Sequence, residues 1–165
     1  MAATLHQTEG VATHGGDHAQ HLWDRLEAYV AHRWVAREVT WIICGGGEWK
    51  PPLTPAVIDK AYIWTGDDWE ETTLAPAPIG FTVPEGRLKI EATVGANNTA
   101  PAAVKEAIQR LSDYVTAETI GAPGASSYSA NVGQLSESIS RHPAFMARAL
   151  DNSGAADLLR PYKRA

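Results

Sequence analysis

The sequence predicts an α+β fold, a small antiparallel β-sheet packed with a few helices, with a flexible N-terminal arm and an extended C-terminal arm. Three observations predict it. Apolar residues recur at three-to-four spacing between Leu22 and Trp34, the period switches to alternation from Val35 to Gly95, and helical spacing returns after Pro101. Residues 1–16 are small, polar and glycine-containing without periodicity, and are assigned to a flexible arm. In the helix that follows, Asp17 is placed to cap the free amides of the first turn, and Leu22, Leu26, Tyr29, Val30 and Trp34 share one face.

The alternating region is rich in the β-branched and aromatic residues that suit a half-buried pleated surface. Arg37 to Cys44 reads as a strand ended by a turn at Gly45, Gly46 and Gly47, and Val57 to Trp64 as another, after the stiff Pro51, Pro52 and Pro55. Thr65, Gly66, Asp67 and Asp68 have turn chemistry, so Trp69 to Leu74 returns as a hairpin partner until Pro76 and Pro78 stop it. Phe81 to Val83 and Arg87 to Val94 read as a further hairpin around Pro84, Glu85 and Gly86. In its second strand Leu88, Ile90, Ala92 and Val94 point one way, and Arg87, Lys89, Glu91 and Thr93 the other.

A second helix opens at Pro101, whose missing amide hydrogen is no loss in a first turn; its stripe is Val104, Ile108, Leu111 and Val115, with Ala107 beside them. Gly121 to Gly133, rich in glycine, alanine and serine around Pro123, reads as a linker. His142 to Leu150 reads as a short helix opened by Pro143, with Asn152, Ser153 and Gly154 as stop signals. The expected organisation is an arm over 1–16, an α+β body over 17–120, and a linker with a C-terminal docking arm over 121–165.

With 165 residues and 44% hydrophobic content, the chain has enough apolar side chain for one real core. No stretch approaches the roughly 20 apolar residues that cross a bilayer, and residues 1–16 lack the basic cluster and apolar run of a secretory leader. The single cysteine, Cys44, excludes an internal disulfide and a thiolate zinc cluster, and reads as a small apolar strand residue. A net charge of −5 argues against broad nonspecific grip on nucleic acid, which comes from cations neutralising phosphates. The charge is uneven, however. From Arg141 onward five basic residues, Arg141, Arg148, Arg160, Lys163 and Arg164, stand against Asp151 and Asp157, as suits a docking arm.

Chemistry is sparse. Of His14, His18 and His21 the last two lie three apart and could share a helix face as metal ligands, but three histidines at a terminus with only Asp17 nearby read as solvated. Gly45 to Gly47 precede Glu48 and Trp49, not the lysine and hydroxyl residue of a phosphate loop. Asp67, Asp68, Glu70 and Glu71 surround a turn, where solvent keeps carboxylates ordinary. No catalytic, cofactor-binding or metal residues are expected, and the chain does not read as an enzyme. The six tryptophans, Trp23, Trp34, Trp41, Trp49, Trp64 and Trp69, are the compositional anomaly. Ordinary core and subunit contacts account for them equally well, with Trp34, Trp41, Trp49, Trp64 and Trp69 as candidate interface aromatics. Stacking on sugars or bases is a third reading for Trp49 and Trp69.

The order of segments resembles the head-tail connector, or adaptor, family of tailed phages and gene transfer agents. Its pieces look like the helix Leu22 to Trp34, the strand Trp41 to Ile43, the proline-marked turn Pro52 to Val57, the aromatic hairpin Tyr62 to Trp69, the alternating strand Gly86 to Gly95, and the helix Pro101 to Tyr114. The terminal Ser153, Gly154, Ala155, Ala156, Leu158, Leu159, Arg160, Pro161, Tyr162 run also looks like connector endings. The sequence departs from the family in having one evident helix before the first strand. The resemblance implies a structural ring, usually of twelve copies, bound below the portal at the head-tail interface of a virion. Such a ring is assembled in the host cytoplasm and continues the DNA channel toward the tail.

Its implied partners are the portal protein, stopper or tail-terminator proteins, further copies of itself, and double-stranded DNA that passes without sequence readout; no membrane is involved. Portal docking is expected of Leu158, Leu159, Arg160, Pro161, Tyr162, Lys163 and Arg164. The alternatives are another neck component, such as a stopper or tail-completion protein, and, from the tryptophans alone, a carbohydrate-binding accessory module.

Overall fold

The computed structural model describes residues 2–117, 125–131, 136–141 and 144–163. In chain order the elements are β1 (Ala3–Glu9), α1 (Gln20–Val30), β2 (Arg37–Cys44), β3 (Gly47–Trp49), β4 (Ala56–Trp64), β5 (Trp69–Thr72), β6 (Ala75–Ala77), β7 (Gly80–Val83), β8 (Arg87–Val94) and α2 (Ala102–Thr116). They are followed by β9 (Ala125–Asn131), β10 (Ser136–Arg141), α3 (Ala144–Ala147), α4 (Ala149–Asn152), α5 (Ala155–Leu159) and a 3-10 turn over Arg160–Tyr162. The α+β expectation holds. The chain divides into two compact units, Met1–Gly15 with Ala31–Thr99, and Gly16–Val30 with Ala100–Ala165.

The first unit is built on a five-stranded antiparallel sheet in the order β1-β2-β8-β4-β5. β2 and β8 take the bounds that alternation predicts, Arg37–Cys44 and Arg87–Val94, because Val39, Trp41 and Ile43 on one and Leu88, Ile90, Ala92 and Val94 on the other fall on one face. That face buries Val39, Trp41, Ile43, Leu88, Ile90 and Val94. It packs with Trp49, Leu53 and Val83 in one core cluster, with the second, three-stranded sheet β3-β7-β6 supplying Trp49 and Val83. Trp41 and Trp49 meet edge to face, with ring centroids 5.5 Å apart.

Three sequence expectations change here. Phe81 to Val83 and Arg87 to Val94 are not hairpin partners: β7 pairs with β3 and β6, β8 with β2 and β4, and Pro84 to Gly86 carry the chain from one sheet to the other. Pro76 does not end strand structure but sits inside β6, an edge strand, where a residue without an amide hydrogen costs no ladder bond on its open side. The aperiodic N-terminus contains β1, antiparallel to β2 from Ala3↔Cys44 to Glu9↔Val39. It carries no apolar alternation because polar atoms hold it. Trp41 Nε1 donates to Gln7 Oε1 at 2.8 Å, Trp49 Nε1 donates to Thr4 Oγ1 at 3.1 Å, and Arg33 donates through Nε and Nη2 to the Glu9 carboxylate at 3.0 and 2.6 Å.

In the second unit α1 begins at Gln20, three residues after Asp17, and buries Leu22, Trp23, Leu26, Glu27 and Val30; Tyr29 is half-buried. Ala31 turns left-handed (φ 54) and ends it, leaving Trp34 beyond the helix. On α2 the buried stripe is Val104, Ala107, Ile108, Leu111 and Tyr114, so Tyr114 takes the place expected of Val115. Tyr114 stacks on Phe145 (4.8 Å, 12°) and accepts a hydrogen bond from Asn152 Nδ2 at 3.0 Å.

Within the segment read as a linker, Ala125–Asn131 forms β9, paired antiparallel with β10 in a separate two-stranded sheet. Serines suit an extended ribbon as well as a linker, so composition did not separate the two. His142, Pro143 and residues 118–124 and 132–135 lie outside the described residues. The C-terminal run, read as an extended arm, is helical. Gly154, left-handed at φ 74, separates α4 from α5, and α5 packs on α2 with Ala155, Ala156 and Leu159 buried.

Candidate interaction surface

The core face of the five-stranded sheet is covered, so the chemistry of the first unit lies on its other face. Strand pairing places Ile42 and Tyr62 on either side of Lys89, with Arg87 one alternation along β8. The β4–β5 hairpin turns on Thr65 to Asp68, where the Thr65 amide and hydroxyl both donate to the Asp68 carbonyl, at 3.0 and 3.1 Å. This tight turn sets Trp64 opposite Trp69, and their ring centroids lie 5.3 Å apart. The Lys89 ammonium lies 4.3 Å from the Tyr62 ring centroid and 5.9 Å from that of Trp69.

A shallow depression of about 310 Å³ is lined by Ile42, Trp64, Trp69 and Arg87. Trp64 remains 38% exposed, which identifies it as surface in a chain whose other large aromatic residues are mostly covered. Lys89 is already paired with Glu91 at 3.1 Å, so the two aromatic faces and Arg87 form a patch that can bury apolar area against another macromolecule while Arg87 pairs with its carboxylates.

The five candidate interface tryptophans therefore separate. Trp34, Trp41 and Trp49 are 4, 0 and 3% exposed, so their rings are covered within the single chain. Trp64 and Trp69 stay available. Sequence reading found these two but missed Arg87 and Lys89 as their neighbours, although the alternation of that strand was legible. The missing information was that β8 runs between β2 and β4, a long-range pairing that no local signal carries.

The expected docking residues also separate. Leu159 is fully buried against its own unit and Leu158 is half-buried, whereas Arg160 and Pro161 are exposed. Tyr162 is half-buried, and the Lys163 ammonium sits 4.5 Å from the Tyr29 ring centroid. Arg160 approaches Asp157 at 3.5 Å with both side chains more than 70% exposed, so solvent screens the pair. Arg164 lies outside the described residues. Among the described residues no three His, Cys, Asp or Glu side chains converge as a metal site would require.

Neither a protein-family model nor a curated protein sequence matches the chain. Two solved structures resemble it. One is a chain from the virion of a native gene transfer agent particle, with a TM-score of 0.54, 14% identity, and coverage of 88% of this chain and 74% of that one. The other comes from the neck of a native gene transfer agent particle computed with C12 symmetry, with a TM-score of 0.48, 12% identity, and coverage of 81% and 77%. At these identities the first likeness is one of fold, and the second is too loose to carry an argument. The α+β chain thus has a fold similar to that of a chain in a gene transfer agent virion.

Proposed function

We propose that this protein is a structural, non-enzymatic subunit of a phage-like particle, an adaptor that forms a ring below the portal and continues the DNA channel toward the tail. The observation that carries this reading is the fold likeness to a gene transfer agent virion chain across 88% of the sequence. The order of sequence segments points the same way. A ring needs two different, complementary surfaces on each copy. The Trp64, Trp69 and Arg87 patch supplies one of them, and the acidic remainder of a chain with net charge −5 supplies the opposite charge. The same net charge suits a channel wall to which exiting DNA should not adhere.

Portal docking rests on the exposed basic end of the second unit, Arg160 and Lys163 with Pro161 and the half-buried Leu158 and Tyr162. Leu159 supports this end from within. The test is co-expression with the portal of the same particle, followed by cryo-electron microscopy of the copurified material. A ring of this chain beneath the portal, twelve copies by the family resemblance, is expected. Copurification with tail proteins and not with the portal would move the chain to a stopper or tail-completion layer. A monomer that ignores both would overturn the neck reading.

A further inference from the structure

β1 lies at the edge of its sheet, yet it is fastened by contacts from the interior. Three buried side chains reach it: Trp41 and Trp49 through their indole N–H groups, and Arg33, 8% exposed, through its two-pronged bond to Glu9. Its ends are tied as well. The Ala2 amide donates to the Glu48 carbonyl at 3.4 Å and the Gly10 amide to the Glu38 carbonyl at 2.8 Å. The sheet is thus built with a socket for one extended segment, and leaving that socket empty would strip both indole donors of these acceptors.

The covalent link of β1 to this socket is long by comparison. Between β1 and β2 the chain passes through residues 10–19, which form neither helix nor strand and include Gly10, Gly15 and Gly16, and then through α1, which belongs to the other unit. Ten extended residues reach up to about 33–36 Å, and Val11 within them is 98% exposed. Nothing local requires β1 to fill the socket of its own copy. A strand from a neighbouring copy would make the same ladder, the same two indole bonds and the same ion pair, so the choice is set by proximity. Copies held side by side present such a strand at roughly millimolar effective concentration.

We propose that in the assembled ring β1 of each copy pairs with β2 of the adjacent copy, so that the ring is closed by exchanged strands. This rests on the ring reading above. The register offers a direct test, because Ala3 lies opposite Cys44, the single cysteine of the chain. An Ala3→Cys variant, oxidised mildly and separated without reductant, is compared as the purified chain at low concentration and as the portal-bound assembly.

The isolated chain should remain monomer-sized with both thiols consumed, whereas the assembly should give a ladder of covalent multimers. Thr8→Cys with Thr40→Cys in a Cys44→Ala background provides a second pair at another register position. An assembly that yields only monomer-sized protein with its thiols consumed overturns the exchange while leaving the adaptor reading intact. Covalent dimers alone mean reciprocal pairing and overturn closure of the ring. Failure of both pairs to oxidise in the assembly means that β1 does not lie on β2 of any copy, and also overturns it. Absence of any portal-bound assembly overturns the adaptor reading, and the exchange with it.

Discussion

Individual residues in this protein bear unequal loads, and the glycine at the head of β7 shows how sharply. Gly80 has a φ of 100°, and a Cβ there would run into the Trp49 carbonyl oxygen, a backbone atom that cannot move without breaking the β3–β7 pairing. Gly80→Ala is therefore expected to destabilise by more than about 1 kcal/mol, read as a lower denaturant midpoint with unchanged slope. Arg33 carries a different load. Its guanidinium meets a carboxylate that is itself 20% exposed, so Arg33→Ala should cost about 1.5–3 kcal/mol, the range for hydrogen bonds to charged groups. The loss should appear first as faster amide exchange over residues 3–9 while the amides of β8 stay protected. Unchanged exchange in that strand would show that Glu9 does not anchor it.

Among the elements, the aromatic hairpin and the C-terminal helices make opposite predictions. Trp64→Ala and Trp69→Ala remove partly exposed rings, and a double-mutant cycle should give a coupling of only about 0.5–1.5 kcal/mol. Ring assembly, followed by analytical ultracentrifugation with portal present, should nonetheless fail. For α5 the order reverses: Leu159→Ala empties a fully buried site and should cost about 2–5 kcal/mol in urea unfolding. Arg160→Ala should stay within about 0.5 kcal/mol of the parent and weaken portal binding instead.

Legibility of the elements followed where their stabilising contacts lie. β2 and β8 could be bounded from the sequence because their burial is apolar and periodic. The stripe of α2 was legible for the same reason, apart from its last position. β1 was invisible because its anchors are Thr4, Gln7 and Glu9, polar residues whose partners lie 24 to 45 positions away in sequence. Its one large apolar residue, Leu5, falls at the irregularity between Thr4 and His6 and is 60% exposed. The aromatic and basic patch was half legible. The tryptophans stood out by composition, while Arg87 and Lys89 joined them only through the pairing of β8 with β4.

For the whole molecule, charge decides more than shape. A chain of net charge −5, in which Arg110 and Arg160 approach carboxylates and the ammonium groups of Lys89 and Lys163 lie over tyrosine rings, has little to offer a phosphate backbone. The assembled protein is expected not to retard duplex DNA in a gel at about 0.15 M salt, where the screening length is about 8 Å. A retarded band there would count against a channel that lets DNA slide.

The odd number of strands in the main sheet has a further consequence. Because each neighbour in the order β1-β2-β8-β4-β5 is antiparallel, the two outermost strands point the same way. Copies related by a rotation that keeps their sheets in one sense could therefore join β5 to β1 only through a parallel seam, whose slanted bonds are weaker and favour burial on both faces. Parity alone thus sets the polarity of edge-to-edge growth. Head-to-tail closure by simple sheet extension is disfavoured, and antiparallel joints between copies are left to two-fold pairs or to a strand passed from one copy to the next.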